Sequence, residues 1–253
     1  MRKNKMHNPV RRGFTLIELV VAMAVFSLMM MLMMRFFTDT QRLWSRSEDR
    51  ANMYADARVA MDLMSSALQS VYYQESSGAG QSENRQERFY IASRIASNPE
   101  GEIIFPVNPS INSPLYPSSM RSESFARPFY LRFWLHIDSS NNNRVLRYAN
   151  DNGATVFTSN NTPNCTTDDQ EIIENVTHLS FLLFTGGFAG LNRTSDYAGQ
   201  RFPHSVQITM KMMPKAAFDT WRGMFSGSET ADAQQFREEN EYEFVRIIYL
   251  GVY

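Results

Sequence analysis

The chain has 253 residues, 43% of them hydrophobic and 20% charged, with a formal net charge of -1. That length fits an anchor plus one domain, and the near-neutral balance gives no electrostatic case for nucleic acid or an acidic surface as partner. A single cysteine, Cys165, excludes an intrachain disulfide.

The first thirteen residues carry Arg2, Lys3, Lys5, Arg11 and Arg12 and no acid. From Phe14 to Met34 there is no Pro or Gly, and the one ionisable group is Glu18. Such a run suits a bilayer-spanning helix, which needs about 20 apolar residues. The basic flank should stay in the cytoplasm, so the helix leaves the membrane with its C-terminal end outside. A plain anchor does not explain Glu18, because a charged side chain in hydrocarbon costs roughly 2.5–3.5 kcal/mol and marks a functional position by default. A cut after Gly13 would place the new amine of Phe14 one helical turn from Glu18, as counter-charge on this helix or a neighbouring one. The same cut would remove all five basic residues.

Gly13-Phe14-Thr15-Leu16-Ile17-Glu18 resembles the cleavage and methylation signature of type IV pilins and type II secretion pseudopilins. The resemblance implies a prepilin peptidase that cuts after Gly13 and N-methylates Phe14. It implies that Glu18 directs assembly with other pilin-like subunits, and that the chain resides in the bacterial inner membrane before any extraction into a filament. A secretory signal peptide fits less well, since no small-residue cleavage site follows the apolar segment.

The helix is expected to continue past the membrane. No Pro or Gly occurs between Phe14 and Ser77, and Met53, Ala57, Ala60, Met64, Ala67 and Val71 recur at steps of four and three, on one face. One helix is predicted from about Phe14 to about Tyr73, roughly 90 Å long at ~1.5 Å per residue. Its second half is amphipathic and needs an apolar cover. A solvated linker, rich in Ser, Gly, Gln and Glu, is expected over 74–88.

Residues 102–107 read as a strand. Pro106, Pro109, Pro114, Pro117 and Pro128 then mark a long surface loop. Residues 129–137 and 144–149, separated by the polar turn 138–143, read as a hairpin. Strands are also predicted at 176–184, 205–213 and 244–252 from their β-branched and aromatic content; short surface helices are predicted at 215–224 and 231–240. The alternation in 205–212 gives that strand one buried and one wet face. The fold class expected is α+β, a long N-terminal helix packed on a C-terminal antiparallel β head. The domain limits expected are 1–13 (leader), 14–36 (transmembrane and assembly helix), 37–75 (amphipathic half) and 76–253 (extracytoplasmic head). That order is similar to the J-class minor pseudopilins. The runs 172–181 and 203–209 resemble that class's strands, and the insertion 214–240 departs from it.

Enzyme signatures are absent: no nucleophile elbow, HExxH pair or P-loop occurs, so neither catalysis nor a small-molecule substrate is expected. Gly186 to Gly190 lacks the Lys-Ser/Thr of a phosphate loop and reads as a turn. His136, His178 and His204 lie in or beside predicted strands, spaced unlike any metal motif. The methionines, sixteen in all with six of them within 23–34, read as adaptable packing between helices. Asp168, Asp169, Glu171 and Glu174 form one oxygen-rich cluster, and Asp138 with 141–143 another. Calcium favours such ligands, but neither has EF-hand spacing, a solvated loop accounts for both, and no cofactor is expected. Arg121, Arg127, Arg132, Arg144 and Arg147 lie near Phe129, Tyr130 and Trp134, which raises nucleic acid as a rival partner. Acids elsewhere balance them, and no nucleic acid is expected. The function expected is a minor pseudopilin at or near the tip of a type II secretion-type filament; the alternative is a minor type IV pilin for adhesion or DNA uptake.

Overall fold

The computed structural model describes residues 15–72, 89–91, 101–110, 112–118, 121, 128–138, 140, 142–150, 165, 167–187, 190–194, 197–199, 203–225 and 229–250. The chain divides into two compact units, residues 1–48 and 49–253. The predicted linker at 74–88 lies outside the described residues.

Helix α1 runs from Leu16 to Gln69, 54 residues without interruption. It stops four residues before the expected end because the backbone is captured by a strand. Val71 forms a bridge with Val107, the Tyr72 N–H donates to the Pro106 carbonyl at 3.0 Å, and the Asn108 N–H donates to the Ser70 carbonyl at 2.9 Å. A helix cannot hold those partners and its own i→i−4 bonds at once.

In the first unit, every described residue of α1 is exposed. In the second, the predicted stripe is covered: Met53, Ala57, Ala60, Met64 and Ala67 are all buried, joined by Met61, Ser65 and Leu68. The alanines keep that face narrow, and the methionines fill the irregular space between helix and sheets.

Among the described residues ten strands follow in two sheets: β1 Phe89–Ile91, β2 Glu102–Val107, β3 Phe129–Ile137, β4 Arg144–Asn150, β5 Thr167–Glu174, β6 Val176–Gly187, β7 Gly190–Thr194, β8 Tyr197–Gly199, β9 Ser205–Met212 and β10 Tyr242–Tyr249. Among the described residues the first sheet has the order β5-β4-β3-β2-β1-β8 and the second β10-β9-β6-β7. Their pairings are antiparallel throughout. The α+β class holds, with two sheets where the sequence suggested one. Both sheets and the second half of α1 share one core, with Phe105, Phe133 and Leu146 from the first sheet and Leu179, Ile208 and Met210 from the second.

The chain changes sheet at Asn175, between β5 and β6, where φ is 62°. Asn tolerates that left-handed conformation better than most residues. At Gly101, φ is 106° and a Cβ would lie 2.0 Å from the Leu179 carbonyl oxygen. Only glycine fits there, so the start of β2 can press against the backbone of β6.

Strand β5 corrects the expectation of a solvated acidic loop. It sits at the edge of its sheet, beside β4, with register shifts in the pairing. An edge strand can carry charge on its free side, and bulges together with charge guard such an edge against further pairing. Helices α2 (Lys215–Gly223) and α3 (Ala231–Asn240) fall where the sequence placed them, as do β2 and β3. Strand β10 begins two residues earlier than expected and ends at Tyr249.

Candidate functional site

The start of α1 is built by four residues, Thr15 to Glu18. The Thr15 N–H and hydroxyl each donate to Glu18 Oε2 at 2.9 Å. In return the Glu18 N–H donates to Thr15 Oγ1 at 3.4 Å. This is a capping box, in which the N-cap side chain and the carboxylate three residues on satisfy each other's backbone donors. The Thr-x-x-Glu signature was present in the sequence, but Thr15 drew no attention there beside Glu18. Gly13 and Phe14 lie outside the described residues.

C-terminal to that cap, Leu16, Ile17, Leu19, Val20 and Val21 are each more than half exposed, as are Leu28 and Met29 further on. Among the described residues, α1 is the one helix long and apolar enough to cross a membrane. An apolar surface this continuous needs lipid or other helices around it.

In the second unit, four of the acids singled out by the sequence, Asp138, Asp168, Asp169 and Glu171, are tied to neighbouring side chains. Asp168 accepts from the Ser118 N–H and hydroxyl, both at 3.0 Å. Asp169 and Glu171 bracket Arg147 at 3.1 and 3.6 Å. Asp138 shapes its turn by accepting from the Ser140 N–H at 2.9 Å and hydroxyl at 2.7 Å. Among the described residues no group of three or more His, Cys, Asp or Glu is placed to hold a metal. His136 and His204 are exposed and His178 is half-buried.

Three of the arginines considered for nucleic acid, Arg132, Arg144 and Arg147, are engaged, and Arg121 is exposed. Arg132 forms an ion pair with Glu102, which is fully buried, and lies 4.3 Å over the Trp134 ring. Burial pushes the Glu102 carboxyl up, partly offset by the Arg132 charge. Arg144 donates to the Thr177 carbonyl at 2.6 Å and lies 5.0 Å over Trp221. With Arg147 held by two acids, these three arginines form no free basic stripe. Arg127 lies outside the described residues.

The insertion that lacked a role in the sequence supplies a small core of its own. Phe218 and Trp221 of α2 pack with Met213 and with Ala233 of α3. The Trp221 indole N–H donates to Glu229 at 3.1 Å, and Glu229 pairs with Arg237 at 3.2 Å. Beside it lies an open groove of about 560 Å³ between α1 residues 49–56, the β5–β6 junction and the end of β9. Its acids come from two parts of the chain more than a hundred residues apart, which is why no sequence pattern marked it.

The family described as the prokaryotic N-terminal methylation motif matches residues 8–34. That match takes in Arg11 and Arg12, the run Gly13 to Glu18 and the apolar start of α1. It supports a type IV pilin-like subunit, structural in kind, anchored by its N-terminal helix. A comparison with curated proteins found no match.

Proposed function

We propose that the chain is a minor pilin-like subunit, a pseudopilin of a type II secretion-type filament, placed at or near the tip. The observation that carries this reading is the methylation motif at 8–34, placed at the head of a helix whose first half is exposed and apolar. A prepilin peptidase would cut after Gly13 and N-methylate Phe14. Glu18 would then offer its carboxylate to the Phe14 amine of a neighbouring subunit, and the helices would gather their apolar faces away from water. The bulk of the second unit, 205 residues if counted from Asp49 to Tyr253, hinders close packing along a shaft and favours low copy number. The orientation follows the basic leader, with the N-terminus cytoplasmic and the head outside.

Gly13→Val tests the reading directly, because a side chain at that position adds bulk beside the scissile bond. The full-length precursor should accumulate in the membrane. Mass spectrometry that finds normal cleavage and an N-methylated Phe14 in the variant would overturn the prepilin reading.

A further inference from the structure

The groove beside the β5–β6 junction has an apolar floor and an acidic rim. Met53, Ile172, Ile173 and Met212 form the floor; Asp49, Asp56, Glu171 and Glu174 form the rim, against a single base, Lys215. Glu171 shares Arg147 with Asp169. Asp49, Asp56 and Glu174 have no ion-pair partner among the described residues. Three uncompensated carboxylates around an apolar trough favour an occupant that is basic and apolar on the same face.

The chain itself carries such a face, in its other unit. Arg42 and Arg46 stand one helical turn apart on α1, a spacing that brings their side chains together. Leu43, 66% exposed, lies next to Arg46 on the same side of the helix. Arg42 is 73% exposed and comes only within 4.0 Å of Asp39, itself 72% exposed, a pair that contributes little in water. Arg46 is exposed and has no ion-pair partner among the described residues. Leu43 lies beyond the apolar run that ends at Met34.

We infer that the groove takes the Arg42–Arg46 face of α1 from a second copy of this chain. Leu43 would enter the trough over Met53 and Ile173, while the two guanidiniums meet Asp49, Asp56 and Glu174. The donor and acceptor surfaces differ, so the contact is heterologous and does not close on itself; it extends in one direction. Because the acceptor residues on α1 lie roughly nine positions beyond the donor residues, two such helices running the same way would be staggered by that amount, about 14 Å of helix rise. A pair or a short run of copies satisfies the contact, in keeping with a low-copy subunit. The inference rests on the pilin-like reading for its setting but is tested separately.

The test uses two differently tagged full-length copies expressed together in cells that hold a prepilin peptidase. One copy carries Asp56→Cys in the groove and the other Leu43→Cys; native Cys165 is buried. Mild oxidation should give a mixed-tag disulfide dimer, roughly tenfold above a control that pairs Leu43→Cys with Tyr249→Cys, outside the groove. Adding Asp49→Lys and Glu174→Lys to the groove copy should remove the product, and adding Arg42→Glu and Arg46→Glu to the other copy should restore it. A product no more abundant than the control, one indifferent to the charge reversals, or crosslinks to other pilin-like subunits alone would overturn the inference. Mass spectrometry of Phe14 on the same samples reports whether the pilin-like reading stands. Processed subunits without the dimer sink the contact alone, whereas unprocessed chains sink the reading.

Discussion

Glu102 is the residue whose ionisation is most at odds with its surroundings. It begins β2 with no exposed surface, and burial raises its pKa above the ordinary 4.5, with Arg132 pulling the other way. An acid that holds its proton more tightly when folded gives stability that is fullest below its ordinary pKa and is lost as pH rises through the raised one. Glu102→Gln keeps the shape and the Arg132 contact but cannot ionise. The full chain in detergent should therefore show a variant that gains on wild type in melting temperature as pH rises above the ordinary 4.5. A difference that stays flat with pH would mean that the Glu102 proton is not linked to folding. Nothing in the sequence marked this residue, because its surroundings come from strand pairing, which sets Trp134 of β3 opposite it and Arg132 against its carboxyl. Ile104, Tyr130, Trp134, Ala149 and Cys165 form the apolar cluster on that side.

Elements were more legible than single residues. The buried stripe of α1 was readable because a helix facing one core repeats its apolar positions at three and four, and Met53 to Ala67 do so without a break. Strands β3 and β9 were readable from their β-branched and aromatic content. Strand β5 was not, since Thr-Asp-Asp-Gln-Glu has the composition of a loop, although its acids meet Arg147 of β4. At the start of α1 the sequence pointed to Glu18 and the structure adds its bond to Thr15, a cap that can be separated from the assembly role proposed for the carboxylate. Glutamine serves a capping box as well as glutamate does, but it cannot neutralise an amine. Glu18→Ala should lose both roles and Glu18→Gln only the second. If counter-charge governs assembly, both variants should insert, be cleaved, and fail alike to crosslink into filament complexes, since an unpaired buried charge costs roughly 3–5 kcal/mol. Wild-type incorporation of Glu18→Gln alongside loss for Glu18→Ala would reduce the carboxylate to a helix cap.

At the scale of the whole molecule, the division of ten strands into two sheets was hidden from the sequence. Alternation tells which side of a strand is buried, not which strand it joins. The two sheets meet through α1: Met64 and Leu68 belong to the same core as Phe133 of the first sheet and Ile208 of the second. A chain begun at Phe37 keeps that helix and should be soluble and unfold cooperatively. A chain begun at Ser76 loses it, exposes the inner faces of both sheets, and should aggregate. A well-behaved monomer from the shorter chain, seen by light scattering and by a single sharp melting transition, would show that the sheets complete the core without α1.

The way α1 enters the second unit also has a mechanical meaning. A subunit drawn from lipid by its N-terminal half would feel the pull arrive along α1 at Asp49, with no glycine hinge to absorb it. From there the tension passes into Met53, Ala57, Met61, Met64 and Leu68, which grip two sheets at once. It reaches further into the Arg246–Asp62 pair at 2.5 Å and the Val71–Val107 bridge. Those contacts resist in parallel along the helix, so the helix cannot be peeled away one contact at a time. The tow-line and the keel are the same piece.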